Sequence, residues 1–504
     1  MNDSIYKSIS FTLISNLWLT FATLICTPLY IKFLGIESYG LIGFYITLLS
    51  IIGVVDNGLS SAALREIARM NSDNAQRSQI KDLFFSLELI YWPIIAAFTL
   101  ILSYLVNTDG NQWIEAETIN ATVLSETTSL ILLLIIFQVP IGLYMNGLLG
   151  FKKNINFAQI NTIFGTIRTF GVLPFLYYFE DIRVFFMWQI FWAIIQILIA
   201  RLILFLQLKK ISVLKSKFSM HLITKIKSYV GGMFLVTILS IIVSQIDKII
   251  LSKMLTLESF AYYMLAFTVA LSLSRITTPI IQIYWAQFSS LTKDNKINEL
   301  KEKFFQCFEL LCFAILPFTV VIFLFSEPLL LLWTNDQNLT SNTSTLLTIL
   351  ILATAFSSLS LPALTVLYAK NGYLRYVIKV NVIGLIFIGS SIFILTPIYG
   401  SLAAANLILI YGVFIFFMFN FKVASILGLK NPINLILQKL LPPIFISLAI
   451  SGLLYVIVFS LTNRLLIFLT FSFIIICNFF VILILNKSYR EILLNSKYIS
   501  KYRT

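Results

Sequence analysis

The feature that most constrains this chain is a series of continuous apolar blocks, most of them about 20 residues long, that recurs from Phe11 to Leu485 with short polar joints between. In hydrocarbon every backbone N–H and C=O must find its partner inside its own segment or in a closed barrel. Barrel strands alternate in polarity over about 10 residues, whereas these blocks are apolar throughout, so they are helices. The 59% apolar and 12% charged composition agrees, since a soluble domain carries about twice that charged share. The expected fold class is therefore an all-α polytopic membrane protein.

Fourteen spans follow: Phe11 to Ile31, Gly40 to Ala62, Leu83 to Val106, Thr127 to Leu149, Phe157 to Phe179, Val184 to Leu206, Gly231 to Leu251, Phe260 to Trp285, Phe304 to Phe325, Thr345 to Tyr368, Val380 to Leu395, Leu402 to Phe421, Leu440 to Leu461 and Leu465 to Leu485. The first block is longer than a signal-peptide core and reads as a retained span. The positive-inside rule tests the count, because one missed span would scramble the sign of every later loop. Of the 36 Lys and Arg, 28 fall on the side shared with the N-terminus, four on the other (Lys32, Arg183, Lys253, Arg464) and four within spans (Arg168, Arg201, Lys248, Arg275). The opposite joints carry Asp109, Glu115, Glu117, Glu126, Glu180, Asp181, Glu327 and Asp336 instead. Both ends are thus expected in the cytoplasm.

The same distribution accounts for the net charge of +14 without nucleic acid, since no single basic face or arm is formed. The four cysteines lie in apolar segments with no CxxC pair, and the one histidine, His221, sits in a basic joint, so neither disulfide nor metal site is expected. No joint is long enough for a catalytic domain, and no G-x-x-x-x-G-K-[ST] run is present to hold ATP phosphates. No cofactor is expected; function must reside in the helices.

Leu34-Gly-Ile-Glu37-Ser-Tyr39 and Leu255-Thr-Leu-Glu258-Ser-Phe260 are separated by 221 residues, and both join the first two spans of a six-span set on the outer side. Chance similarity is the plain alternative for six residues. A parallel repeat would divide the chain into a six-helix bundle (1–208), a basic cytoplasmic linker (209–230), a second bundle (231–421) and two added helices with a basic tail (422–504), with a cavity between the bundles.

Ser15-Asn-Leu-Trp18, Pro28-Leu-Tyr-Ile-Lys-Phe-Leu-Gly-Ile-Glu-Ser-Tyr-Gly-Leu41, Asp56-Asn-Gly-Leu-Ser60 and Arg65-Glu-Ile-Ala-Arg69 together resemble the N-terminal region of Wzx-type polysaccharide flippases, members of the multidrug/oligosaccharidyl-lipid/polysaccharide exporter superfamily. Gln245-Ile-Asp247-Lys248 with Leu257-Glu-Ser-Phe-Ala-Tyr262 is similar to the start of their second half. The resemblance implies transfer of an undecaprenyl-pyrophosphate-linked oligosaccharide from the cytoplasmic to the periplasmic leaflet of a bacterial inner membrane, for O-antigen, lipopolysaccharide or capsule biosynthesis. It also implies membrane lipids, a proton or sodium coupling ion and a glycan polymerase as partners. The motif residues themselves read as structural.

Charges held inside spans are costly, about 2.5–3.5 kcal/mol each at bilayer centre, and so mark cavities or partners. Arg168 lies about 11 residues into span five, near the midplane; Lys248 lies toward the outer third of span seven and Arg275 toward the cytoplasmic third of span eight. Facing a cavity, the three would form a ladder of cations suited to a pyrophosphate, whose oxygens an Arg contacts bidentately. A structural pair for Arg168, and snorkelling for Lys248 and Arg275, are the competing readings. Asp247 points about 100° from Lys248 and could bind a coupling ion or form a buried pair; Asp56 reads as a helix-end cap or local charge pair. Glu88 and Arg201 lie within two turns of the inner face and read as interfacial. Two other classes stay open: a cation-coupled multidrug exporter of the same superfamily, and a membrane glycan polymerase or ligase, against which the short outer joint 107–126 argues.

Overall fold

The computed structural model describes residues 2–72, 77–108, 114–209, 216–370, 372–455, 458 and 464–485. The basic tail Tyr489 to Tyr502, residues 210–215 of the linker and Asp109 lie outside them. The described residues form seventeen helices and no strand. They divide into two compact units, Met1–Ala261 and Tyr262–Thr504.

The first unit holds α1 (Asn2–Leu34), α2 (Ile36–Ser72), α3 (Ile80–Thr108), α4 (Ala121–Gln138), α5 (Ile141–Gly150), α6 (Asn154–Phe170), α7 (Leu173–Phe179), α8 (Ile182–Lys209) and α9 (Met220–Met254). α10 (Leu257–Lys293) begins there and runs into the second unit, followed by α11 (Ile297–Leu324), α12 (Ser326–Thr334), α13 (Gln337–Ala369), α14 (Leu374–Tyr399), α15 (Ser401–Ile426), α16 (Pro432–Leu453) and α17 (Arg464–Leu485).

Among the described residues twelve stretches are long and apolar enough to cross a membrane. The remaining two of the fourteen blocks are α9 and span five, and span five is broken: α6 stops at Phe170, and α7 restarts at Leu173 with Pro174 in its first turn. Proline has no N–H to continue the ladder and is favoured at a helix start, which sets where the second piece begins.

The motif residues at the N-terminus zip α1 to α6. Ser15 bonds Thr162 Oγ1 at 2.5 Å, the Trp18 indole donates to Thr166 Oγ1 at 2.8 Å, and the Tyr30 hydroxyl donates to the Thr169 carbonyl at 2.6 Å. Gly165 lets α1 come close, since a Cβ there would strike Leu19. Without a hydrophobic drive between helices in lipid, such small residues and polar ties do the joining.

Gly35, at φ +81°, makes the α1–α2 turn in a backbone region that favours glycine. The buried Glu37 carboxylate beyond it accepts from the backbone N–H of Glu117 (2.8 Å), Thr118 (2.9 Å) and Ile119 (3.1 Å), and from the Thr118 hydroxyl. The same joint meets the second motif copy, where the Leu257 N–H donates to the Glu115 carbonyl at 2.8 Å. Gly40 abuts Leu257 closely enough that a Cβ would lie 2.7 Å from its carbonyl oxygen. The two short motifs therefore sit at turns that touch.

In the second unit α13 and α15 pack closely at Gly412, beside the Ala353 carbonyl, and Phe288, Phe304, Val366, Val377 and Phe419 fill the core between α10, α11, α13, α14 and α15. The last two helices dock on α11: Phe471 and Ile474 of α17 pack with Val321 and Phe325, while Lys439 Nζ of α16 pairs at 2.5 Å with the buried Glu309 carboxylate. The outer face of α17 (Leu469, Phe473, Ile476, Phe480) is exposed and apolar, as a lipid-facing stripe must be.

Candidate functional site

The break in span five frees carbonyls in the middle of an apolar segment, where each needs a donor. Neighbouring side chains supply two of them: the Gln189 amide reaches the Arg168 carbonyl (3.1 Å) and Tyr30 the Thr169 carbonyl, while the Trp188 indole adds a second donor (3.2 Å) to the Ile167 carbonyl, which already accepts from the Gly171 N–H. The sequence arranges this by placing Trp188 and Gln189 together on α8 and Tyr30 on α1, the two helices that flank α6.

Arg168 is held in the same knot. Its Nε donates to Gln189 Oε1 at 2.7 Å, and the guanidinium lies beside the Tyr45 hydroxyl on α2. Gln189 thus accepts from the side chain and donates to the backbone of one residue, fixing the arginine's position twice. Both contacts of the guanidinium are to neutral groups, and no carboxylate pairs with it among the described residues. A half-buried cation with oriented neutral partners keeps its positive charge uncompensated and its remaining N–H groups able to take oxygen atoms of an anion.

The other sequence candidates divide differently. Asp247 and Lys248 are both buried and paired, with Lys248 Nζ 3.0 and 3.1 Å from the two carboxylate oxygens and 3.0 Å from the Ser244 carbonyl. The 100° between adjacent positions does not separate them, because the lysine stem is long enough to fold back along α9. Asp56 is neither a helix-end cap nor, among the described residues, a charge pair. α2 continues to Ser72, and the carboxylate accepts from the hydroxyls of Ser60 and of Tyr91 on α3, packed so tightly on α5 that Gly142 has no room for a Cβ. Arg275 lies in the second unit, exposed on an α10 face with Leu271, Thr278 and Gln282. Glu88 and Arg201 form an ion pair at 2.7 Å.

Gln189, Tyr45, Tyr91 and Glu309 escaped the sequence reading. Gln189 and Gln196, seven apart and both buried on α8, offered the usable signal: two amides on one face of an otherwise apolar span.

Comparison with known proteins agrees with this architecture. The chain resembles the lipid II flippase MurJ in an inward closed conformation, at 17% identity over 97% of this chain and 99% of that one, with a TM-score of 0.67. It also resembles an inward-facing multidrug resistance MATE family transporter (14% identity, 83% and 99% covered, TM-score 0.64) and a MATE transporter of Vibrio cholerae (14%, 84% and 99%, 0.56). The fold defines the class: an all-α, multi-pass membrane protein with the fold shared by that flippase and the MATE transporters. The family model described as "Polysaccharide biosynthesis protein" matches residues 31–343, and the chain belongs to that family. The MatE model matches residues 292–395. No curated protein sequence matches the chain.

Proposed function

We propose that the protein is a flippase of the bacterial inner membrane that moves an undecaprenyl-pyrophosphate-linked oligosaccharide from the cytoplasmic to the periplasmic leaflet, by alternating access of two helical halves, for O-antigen or capsule assembly. The observation that carries this reading is Arg168: a mid-span guanidinium at a broken helix, held by neutral groups and, among the described residues, without a carboxylate. Broken helices at the midplane are where transporters of known type build substrate sites. A pyrophosphate brings the negative charge that this cation lacks, while the lipid tail stays in hydrocarbon. The family match to polysaccharide biosynthesis supports the glycan, and the likeness to a flippase for another lipid-linked sugar supports the lipid carrier.

Arg275, exposed on the α10 face of the second unit, is a separate candidate contact for an anionic substrate. Lys248 is satisfied by Asp247, and the pair acts as an internal brace of α9 rather than as a rung for substrate. The task is transport, with no bond made or broken by the chain.

One observation favours a second reading, a cation-coupled multidrug exporter. Asp56 is a carboxylate facing only hydroxyls among the described residues, the arrangement a transported proton or sodium ion would use, and the MatE match covers part of the second unit. The same carboxylate can serve as the coupling site of a flippase. Deleting the protein separates the classes: lipid-linked oligosaccharide facing the cytoplasm accumulates if it flips, no such accumulation with a gain of drug sensitivity marks the exporter, and accumulation facing the periplasm would point to a polymerase or ligase. Arg168→Ala is expected to abolish surface glycan while the protein still inserts and accumulates; normal glycan display would remove Arg168 from the mechanism.

A further inference from the structure

A cavity of about 570 Å³ opens in the first unit between α3, α4, α5 and α8, apart from the Arg168 knot. That volume falls within the roughly 300–1,000 Å³ of ordinary ligand pockets. Most of its wall is apolar, including Leu89 and Leu198, both more than half exposed. One end is polar: Glu88, Arg201, Tyr144 and Trp92.

This polar end has a defined height. Glu88 lies eight residues from the start of α3 and Arg201 eight from the end of α8, the two cytoplasmic ends, so both stand about 12 Å up from them. That is the level where headgroups of the inner leaflet give way to acyl chains. The arrangement therefore matches an amphiphile lying in the leaflet, polar end down.

The hydrogen bonds say which headgroup. Glu88 Oε1 is fully used, accepting from Arg201 Nε at 2.7 Å and from the Tyr144 hydroxyl at 2.7 Å, while Trp92 donates to the Tyr144 oxygen at 3.2 Å. Among the described residues Glu88 Oε2 has only a long contact of 3.4 Å to Arg201. The Arg201 side chain is 54% exposed and has spent two of its five N–H groups. An acceptor and a set of donors thus remain side by side on a pair with no net charge. A zwitterion that carries a phosphate and a primary ammonium, itself of no net charge, satisfies both at once. A net anion would gain Arg201 but meet Glu88, and a quaternary ammonium has no N–H to give Oε2.

We infer that this cavity is a binding site for an inner-leaflet phospholipid with a primary amine headgroup, of the phosphatidylethanolamine type. Its phosphate rests on Arg201, its ammonium on Glu88 Oε2, and one acyl chain lies against Leu89 and Leu198. Pro93, which also lines the cavity, has no N–H to give the Leu89 carbonyl, so α3 lacks one ladder hydrogen bond beside the site although the helix itself continues to Thr108.

The test is native mass spectrometry of the full-length protein, released from detergent with equal amounts of phosphatidylethanolamine, phosphatidylcholine and phosphatidylglycerol of matched chains. One charge-assisted hydrogen bond predicts retention of the ethanolamine lipid about tenfold over either competitor. Glu88→Gln keeps the shape and should bring the three lipids within about twofold of one another; Arg201→Gln should weaken all three. Leu198→Trp leaves the ion pair intact and should fill the cavity, displacing the retained lipid even if the charge variants fold poorly. Unchanged selectivity in Glu88→Gln, undiminished retention in Leu198→Trp, or preference for a short polyprenyl pyrophosphate over the ethanolamine lipid in competition would each overturn the assignment.

Discussion

Changing Gln189 to Glu asks whether Arg168 is kept free for an anion or merely parked. The substitution preserves the volume of the side chain and its acceptor at 2.7 Å from Arg168 Nε, but makes that acceptor a carboxylate. Folding gains a charge-assisted bond, about 1.5–3 kcal/mol, and loses the amide's donation to the Arg168 carbonyl, about 1 kcal/mol, so the protein should melt within a few degrees of the parent. Function should move the other way. A guanidinium already paired with a carboxylate binds a pyrophosphate more weakly, and a loss of only 1.4 kcal/mol slows export tenfold. The assay pairs surface-glycan display with protein level and melting temperature. Full glycan display by a stable, normally abundant Gln189→Glu protein would refute the idea that Arg168 receives substrate. Gln189→Leu completes the set: it strips both bonds and should cost about 2–4 kcal/mol of stability.

Gly142→Ala should push the Asp56 carboxylate off the Ser60 and Tyr91 hydroxyls, costing about 1–3 kcal/mol, read as a lower melting temperature that Gly142→Ala in an Asp56→Ala background does not lower further. Lys439→Met removes the cation paired with the buried Glu309 and should cost about 3–5 kcal/mol, whereas joint Glu309→Leu and Lys439→Met recovers most of it; equal losses in the single and double variants would refute the pairing. Asp181, in the joint between α7 and α8, is held below the usual carboxylate range by its bond from Arg183. Because its folded-state pKa is depressed, its contribution is present above the unfolded value near 3.8 and is lost only as pH falls through the lower folded one. Melting between pH 7 and 5 should therefore be the same in the parent and in Asp181→Asn, apart from a constant offset.

The spans were legible because block length is a one-dimensional quantity. The break at Gly171 was not, although Gly171 and Pro174 stood in plain view: an apolar block reports that a segment belongs in lipid, not that its hydrogen-bond ladder is continuous. Scanning spans for charge found Arg168 but passed over Gln189, the neutral residue that fixes it. The reading of Asp56 failed for a related reason, since Asn57 and Gly58 looked like a helix end while α2 runs on to Ser72. Asp247 and Lys248 pair because side-chain length overrides helical angle. Glu309 and Lys439 are remote in sequence, and only packing of α16 on α11 brings them together.

The strap from Glu115 to Ile119 bears on how such a chain can drift. Glu37 grips it from the first motif and Leu257 from the second, while Gly40 presses directly on Leu257. Positions 37, 40, 115–119 and 257 are thus one inheritance unit spread over more than two hundred residues. A chimera that exchanged the first two helices with a relative, leaving the strap and the second turn behind, would break a fit that neither parent lacks.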